Sequence, residues 1–189
     1  MGYKNQCAKS KNDKKNKKKN DTRVNIRVNI RGRKNKEMPL ALAQARAAAA
    51  RGEVPVGAVV VDAQGHVIAS AGNRVEEWGD PSAHAEMVAM RAAMHLRNKR
   101  KLVDCTLVVT LEPCAMCAAA MVHFRVGRLI FGAYDPKGGA VEHGPRLFDR
   151  EACLHRPEII GGVSEQESAL MLKDFFDQRR KKPHNIQIS

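Results

Sequence analysis

The stretch that decides the fold is residues 107–117, LVVTLEPCAMC. Residues 107–111 are almost all apolar, which predicts a strand buried on both faces of a sheet. Pro113 then favours the first turn of a helix, and the small and apolar residues after it extend that helix to about Phe124. A buried strand that leads directly into a helix is typical of α/β domains.

The chain on either side of this stretch alternates between the same two kinds of element. Further strands are predicted at 54–61, 66–71, 128–132 and 158–161. Further helices are predicted at 39–51, from a start at Asp80-Pro81-Ser82 to about Arg97, and at 164–180. Turn residues 62–65 join the first two strands as a hairpin. The alternation predicts one three-layer α/β/α domain around a central mixed sheet of about five strands.

Two of the predicted helices carry apolar side chains at helical spacing, which we expect to face the core. In the helix that ends near Arg97, this stripe consists of Met87, Met90 and Met94. In the last helix, it consists of Ala169, Leu172 and Phe176.

The positive charge of the chain is concentrated near its N-terminus. The 189 residues carry a formal net charge of +13, and residues 1–36, with 14 Lys and Arg against two Asp, account for +12 of it. We predict that 1–36 are a low-complexity, disordered tail, that 37–182 form the folded domain, and that 183–189 are a short C-terminal tail. The basic tail is either an appended RNA-binding arm or the product of a start codon assigned upstream of a true start at Met38.

Composition argues against several classes of protein. No run of about 18 apolar residues is present, so we expect no transmembrane helix and no membrane partner. The N-terminus lacks the apolar segment of a secretory signal. Five cysteines are an odd number, which argues against a disulfide scaffold and favours a reducing, cytoplasmic location.

Three potential metal ligands stand near two predicted helix starts. Cys114 and Cys117 are three residues apart, so their sulfur atoms share one face of the helix that Pro113 begins. A helix N-terminus stabilises thiolates, which are the form of cysteine that binds metal. Together with His84, these cysteines make a ligand set that suits zinc and leaves a fourth position for water.

Glu86 is placed to transfer protons beside such a metal. It lies two residues after His84, about 200° around an ideal helix, so both can meet one site only if the ion lies off the helix end. Glu86 could then take a proton from a zinc-activated water and pass it to a substrate. The alternative is a closed structural zinc site, for which the candidate fourth ligands are Cys105, Cys153 and His123.

The motif His84-Ala-Glu86 followed by Pro113-Cys-Ala-Met-Cys117 resembles the signature of the zinc-dependent nucleoside and nucleobase deaminases. The likeness is greatest to the bacterial tRNA-specific adenosine deaminases, and it covers roughly residues 38–180. It rests on the final helix and on four segments: EVPVGA (53–58), DPSAHAE (80–86), VTLEPCAMC (109–117) and VGRLIFGA (126–133).

This resemblance implies a deaminase-like fold and the hydrolytic deamination of adenosine to inosine at the wobble position of tRNA anticodons. By the same resemblance, His84, Cys114 and Cys117 bind one Zn²⁺ per subunit, and Glu86 is the catalytic proton shuttle. The positions that resemble the family's substrate-binding residues are Asn73, Asp135, Phe176 and Arg179. The family also implies a tRNA anticodon stem-loop as partner and a homodimer.

Two other functions stay open at this point. A deaminase of free nucleobases or nucleosides, such as guanine or cytosine, would carry the same zinc motif. A non-catalytic, zinc-stabilised RNA-binding module would keep the metal ligands without turnover. The irregular, Pro- and Gly-rich residues 135–156 form a loop long enough to be functional, and they depart from the family's usual sequence after Ala140.

Overall fold

A computed structural model describes residues 36–181 of the chain. The predicted tails therefore lie almost wholly outside the described residues, and the division into tails and domain stays a prediction. The helices are α1 (Met38–Ala50), α2 (Val75–Trp78), α3 (Ala85–Arg97), α4 (Ala115–Phe124) and α5 (Glu165–Lys181). The strands are β1 (Gly57–Val61), β2 (Val67–Gly72), β3 (Thr106–Leu111), β4 (Arg128–Ala133) and β5 (Glu158–Ile160).

The five strands form one mixed sheet in the order β2-β1-β3-β4-β5. β1 pairs antiparallel with both β2 and β3, and the β1–β2 pair is the predicted hairpin. β3, β4 and β5 run parallel. The mixed five-stranded sheet predicted from the sequence is thus confirmed, and the carboxyl end of β3 leads straight into α4 near the middle of the sheet.

Alternate residues of the central strands fill two separate cores, one on each face of the sheet. Leu107 and Val109 of β3 belong to the larger core, together with residues of α3 and α4. Val108 points to the opposite face, where it packs in the smaller core with Leu42 of α1. This period of two, with helices covering both faces, accounts for the continuous apolar run that identified β3 as a buried strand. The resulting arrangement has the predicted three layers.

The predicted start of α3 is wrong by a few residues. Asp80 does not cap the helix; its carboxylate accepts a hydrogen bond from the backbone N–H of Ser82 (2.7 Å) in a turn that precedes the helix. The helix begins at Ala85, and His84 is its N-cap residue with an extended backbone. Asp and Ser stabilise such turns as readily as helix starts, so their pattern alone did not distinguish the two.

The inward face of α5 also differs from the prediction. Ala169 is exposed and Phe176 is 42% exposed, whereas Ser168 is buried and Leu172 packs against the larger core. The stripe predicted for α3 is confirmed, because Met87 and Met90 are buried and Met94 packs against the larger core. The amphipathic period of a helix determines which residues share a face, but only the part of that face that contacts the sheet is buried.

Among residues 36–181, none of the helices has the length and apolar character that a membrane span requires.

Candidate active site

The potential metal ligands come together where the N-termini of α3 and α4 meet. His84 and Cys114 are the N-cap residues of these two helices, and Cys117 lies in the first turn of α4. The Nδ1 atom of His84 is 3.6 Å from the sulfur of Cys114 and 3.6 Å from that of Cys117. All three ligand atoms lie within 4.8 Å of one another. The helix starts therefore bring together the three ligands that the sequence predicted.

These distances fit a tetrahedral zinc ion. With Zn–S bonds of about 2.3 Å and Zn–N bonds of about 2.0–2.1 Å, tetrahedral angles separate the nitrogen and sulfur ligands by about 3.6 Å. Within residues 36–181, this cluster has no fourth His, Cys, Asp or Glu ligand. The three proposed candidates lie elsewhere: Cys105 is buried beside Arg97, Cys153 contacts the carbonyl oxygen of His155, and His123 is exposed. The ligand set is therefore open, as in catalytic rather than structural zinc sites.

The electrostatics of the cluster favour thiolate at one cysteine. A hydrogen bond from Cys117 lowers the pKa of Cys114 to about 4, and the nearby His84 contributes to the same shift against the effect of burial. The hydrogen bond with Cys114, burial and the neighbouring Glu86 raise the pKa of Cys117. The hydrogen bond with Cys114 also raises the pKa of His84. A dipositive ion at this position would replace the shared protons and stabilise both sulfurs as thiolates.

Glu86 lies in the first turn of α3 beside the cluster and is only 4% exposed. Burial raises the pKa of its carboxyl group, which interacts with the Cys117 thiol. Because His84 sits at the helix N-cap, the ligand and the carboxyl group can approach the same point off the helix end. This is the end-on arrangement that the His84-Ala-Glu86 spacing required.

A pocket opens beside the cluster. Its walls combine apolar side chains with several carboxylates and the metal-ligand candidates. The lining residues are Glu53, Val54, Val56, Asn73, Val75, Glu76, His84, Glu86, Leu111, Glu112, Cys114, Asp135 and Gly138. A concave, partly apolar site with a few convergent polar groups suits a small-molecule or nucleotide-sized ligand.

Asn73 lines this pocket and also supports the metal-ligand helix. Its side-chain oxygen Oδ1 accepts a hydrogen bond from the backbone N–H of Ala85 (2.9 Å), the first residue of α3. Its backbone oxygen accepts a hydrogen bond from Arg51 (3.1 Å). One oxygen of Asn73 thus satisfies a free N–H at the start of the helix that carries Glu86. Sequence reasoning missed this contact, because Asn73 and Ala85 are separated by a turn and α2.

The other predicted substrate-binding residues divide into two groups. Asp135 lines the pocket, where its Oδ1 atom accepts hydrogen bonds from the backbone N–H groups of Lys137 (3.1 Å) and Gly138 (3.0 Å). Phe176 and Arg179 do not line the pocket and are exposed on α5. The structure therefore joins Asp135 to the site and leaves the α5 residues on a separate surface.

Two buried carboxylates of the pocket escaped sequence reasoning. Glu53 is 1% exposed and accepts a hydrogen bond from the backbone N–H of Glu77 (2.9 Å). Glu112 is 2% exposed and accepts hydrogen bonds from several backbone N–H groups of the loop after β4. In the sequence, these residues stand out only because they lie in two of the segments that resemble the deaminases, EVPVGA and VTLEPCAMC. A single Glu next to a strand is otherwise more often exposed to solvent. Glu53 and Glu112 are thus hydrogen-bonded to backbone N–H groups, whereas Glu86 faces the cysteine cluster.

Comparison with known proteins agrees with this geometry. A family model described as "Cytidine and deoxycytidylate deaminase zinc-binding region" matches residues 32–133. The tRNA-specific adenosine deaminase of Agrobacterium fabrum is 50% identical over 143 residues, which are 76% of this chain and 93% of that protein. That of Rickettsia bellii is 47% identical over 141 residues, which are 74% of this chain and 97% of that protein.

Solved structures of deaminases also resemble this chain. A structure from a study of A-to-I editing by tRNA:A34 deaminases at the wobble position superposes with a TM-score of 0.70 at 50% identity, over 71% of this chain and 97% of that one. A guanine deaminase from Bacillus subtilis superposes with a TM-score of 0.52 at 27% identity, over 80% of this chain and 96% of that one. The chain therefore belongs to the zinc-binding cytidine and deoxycytidylate deaminase superfamily, within its family of tRNA-specific adenosine deaminases.

Proposed function

We propose that this protein hydrolyses the amino group of adenosine at the wobble position of tRNA anticodons, which yields inosine and ammonia. The observation that carries the reaction class is the open set of three ligands beside the buried Glu86 at one pocket. The substrate class is supported by relatives of 50% and 47% identity that are named tRNA-specific adenosine deaminases.

His84, Cys114 and Cys117 would hold one zinc ion per subunit, since their spacing fits the tetrahedral geometry of that metal. When bound, zinc supplies a water molecule acidic enough to act as a nucleophile near neutral pH. The ligand side chains fix this position from two helix starts, which are more rigid than loops.

Glu86 would move the protons of the reaction. Water adds to C6 of the adenine ring, and the proton that it releases passes to the Glu86 carboxylate. Glu86 delivers this first proton to the neighbouring ring nitrogen. It then takes the remaining proton of the added oxygen and passes it to the amino group, so that a C6=O bond forms, the C6–N bond breaks and ammonia leaves. Burial raises the pKa of Glu86. A carboxyl group with a raised pKa is better suited to accept a proton and then donate it within one reaction cycle.

The target base must leave its stack to enter a pocket of this kind, and an anticodon loop presents unstacked bases. Asn73 and Asp135 would contact the flipped-out nucleotide, because both line the pocket. Phe176 and Arg179 would contact RNA outside it, from the exposed face of α5.

A homodimer and a cytoplasmic location complete the proposal. Exposed apolar side chains such as Leu154 (80%) and Leu96 (67%) are compatible with a protein interface. Light scattering of the purified protein tests the dimer: a monomeric mass at micromolar concentration would contradict it.

A comparison of substrates tests the reaction. The zinc-loaded protein is incubated with an anticodon stem-loop that carries adenosine at the wobble position, and in parallel with free adenosine, guanine and cytosine. We expect inosine from the stem-loop. Turnover of free bases alone would favour the second candidate function, a nucleobase deaminase, whose fold the Bacillus subtilis guanine deaminase shares. Zinc and RNA binding without any turnover would favour the non-catalytic module.

A further inference from the structure

Glu112 is a fully buried carboxylate with an unusual number of hydrogen bonds. Its Oε1 atom accepts from the consecutive backbone N–H groups of Val141 (3.1 Å), Glu142 (2.8 Å) and His143 (2.9 Å). Its Oε2 atom accepts from the backbone N–H of Asp135 (3.0 Å) and lies 2.7 Å from Nδ1 of the His143 ring. One side chain at the end of β3 therefore organises residues 135–143, which we call the wall loop.

The wall loop forms one side of the substrate pocket. Its residues Asp135 and Gly138 line the pocket together with Cys114. The backbone of Gly139 pairs with that of Cys114 in an isolated β-bridge, and the N–H of Ala140 donates to the carbonyl oxygen of Pro113 (2.9 Å). The loop is thus joined on one side to a metal-ligand candidate and on the other to the Glu112 carboxylate.

The wall loop is shaped around this carboxylate. A Cβ atom at Gly139 would lie 2.6 Å from Cδ of Glu112 and 2.5 Å from the carbonyl oxygen of Asp135. Only a glycine lets the backbone approach so closely, since such distances are far below van der Waals contact. The side chain of Glu112 therefore fills the space that a larger residue in the loop would need.

His143 covers the outer side of Glu112. The His143 side chain is 35% exposed, whereas that of Glu112 is 0% exposed. The His143 ring also packs edge-on against Tyr134, with 5.8 Å between ring centroids, and Tyr134 packs in the same way against the core residue Phe131. The imidazole is therefore held between the carboxylate and an aromatic pair, in the part of the loop where the sequence departs from the family pattern.

We propose that Glu112 and His143 are positioning residues that hold the wall loop in the conformation that receives the substrate nucleoside. This inference rests on the proposed deamination. A charge-assisted hydrogen bond between the ring and the carboxylate adds to the backbone bonds and keeps the loop ordered before substrate arrives. A wall loop that is ordered before binding loses less entropy when the substrate binds. Glu112 and His143 therefore affect substrate binding more than the chemical step.

Variants of His143 test this proposal, because its partial exposure makes them compatible with folding. His143→Ala removes the ring donor, whereas His143→Asn keeps a donor close to the position of Nδ1. Glu151→Gln is the control, since it changes an exposed residue that lies outside the wall loop. The readouts are zinc content, kcat and KM on the anticodon stem-loop, and hydrogen exchange of the backbone amides of residues 141–143.

For His143→Ala we expect KM to rise about tenfold and kcat to change by less than about threefold, with one zinc per chain retained. Amide exchange in the wall loop should become about tenfold faster. His143→Asn should restore most of the wild-type KM and of the wild-type amide exchange rate, and Glu151→Gln should match the wild type.

An unchanged KM together with unchanged amide exchange in His143→Ala would overturn the proposal. A fall in kcat with loss of zinc and an unchanged KM would overturn it as well, because the pair would then act on the metal site. If the wild type does not deaminate the stem-loop, the proposed function is wrong, and the exchange rates of the wall loop by themselves confirm or refute the positioning role.

Discussion

Substitution of Glu86 by glutamine is the sharpest test of the active site. Glutamine has almost the same shape, so Glu86→Gln leaves the packing of α3 intact while it removes the group that accepts and donates protons. Three of the other carboxylates that line the pocket already accept hydrogen bonds from backbone N–H groups: Glu53, Glu112 and Asp135. None of these three is therefore free to replace Glu86.

The size of the effect follows from these contacts. A positioned acid–base group contributes about 10²–10⁴-fold to a reaction rate, and Glu86 serves more than one proton transfer. We therefore expect kcat to fall at least about 10³-fold, which corresponds to about 4 kcal/mol in activation free energy. Stability should not fall, because burial already disfavours the charged form of Glu86 and glutamine is neutral.

The assay combines inosine release from the stem-loop with zinc analysis and thermal unfolding. Glu151→Gln, at an exposed position, is the control for the same chemical change and should behave as the wild type. A Glu86→Gln protein that keeps its zinc and more than about one tenth of the wild-type kcat would refute the role of Glu86 as proton shuttle. A loss of zinc together with activity would instead show that Glu86 supports the metal site.

Three further predictions concern the helix start, the metal and pH. Asn73→Ala removes the acceptor for the Ala85 N–H and should lower the free energy of unfolding by about 1 kcal/mol. Asn73→Asp keeps the acceptor and should lower that free energy by less. Equal losses of stability in thermal melts of the two variants would contradict the contact. A chelator should lower Tm and abolish turnover, and zinc but not magnesium should restore both; full activity after verified metal removal would contradict a catalytic zinc. The Arg97 guanidinium holds the pKa of Asp104 below the ordinary value of 3.8. Their ion pair therefore stabilises the fold above a pH of about 4, and this contribution is lost as the pH falls through the lowered pKa of Asp104 in the folded state. Asp104→Asn should make Tm fall less steeply below about pH 4. The corresponding change in the free energy of unfolding should be less than about 1 kcal/mol, because the pair is partly exposed. An unchanged slope of Tm against pH would argue against this contribution.

The sequence was most informative where a local pattern is enough to define an element. The apolar residues of β3 could only suit a strand covered on both faces, and Pro113 marked the start of the next helix. The spacing of Cys114 and Cys117 within one helical turn predicted two of the three candidate metal ligands that the structure brings together. Each of these conclusions depends on residues that are close in the chain, where spacing and geometry are directly related.

Predictions failed where one pattern suits two local structures. Asp80 and Ser82 stabilise a turn, although the same residues also cap helices. In α5 the predicted apolar stripe was Ala169, Leu172 and Phe176, of which only Leu172 packs against the core. Ser168 faces the sheet instead, at the point where Gly132 leaves space for it. In both cases, two local structures suited the sequence equally well, and packing against a neighbouring helix or strand determined which of them formed.

By itself, the sequence predicted the five strands, the four longer helices, the three candidate zinc ligands and the candidate acid–base residue, because these predictions depend on composition, on short spacings and on a recognisable motif. Only the tertiary structure showed that two other buried carboxylates of the pocket already have partners. Glu53 and Glu112 accept hydrogen bonds from backbone N–H groups of distant segments, whereas Glu86 faces the cysteines. The physical reason is that a buried carboxylate must find partners, and chain folding alone brings those partners within hydrogen-bond distance.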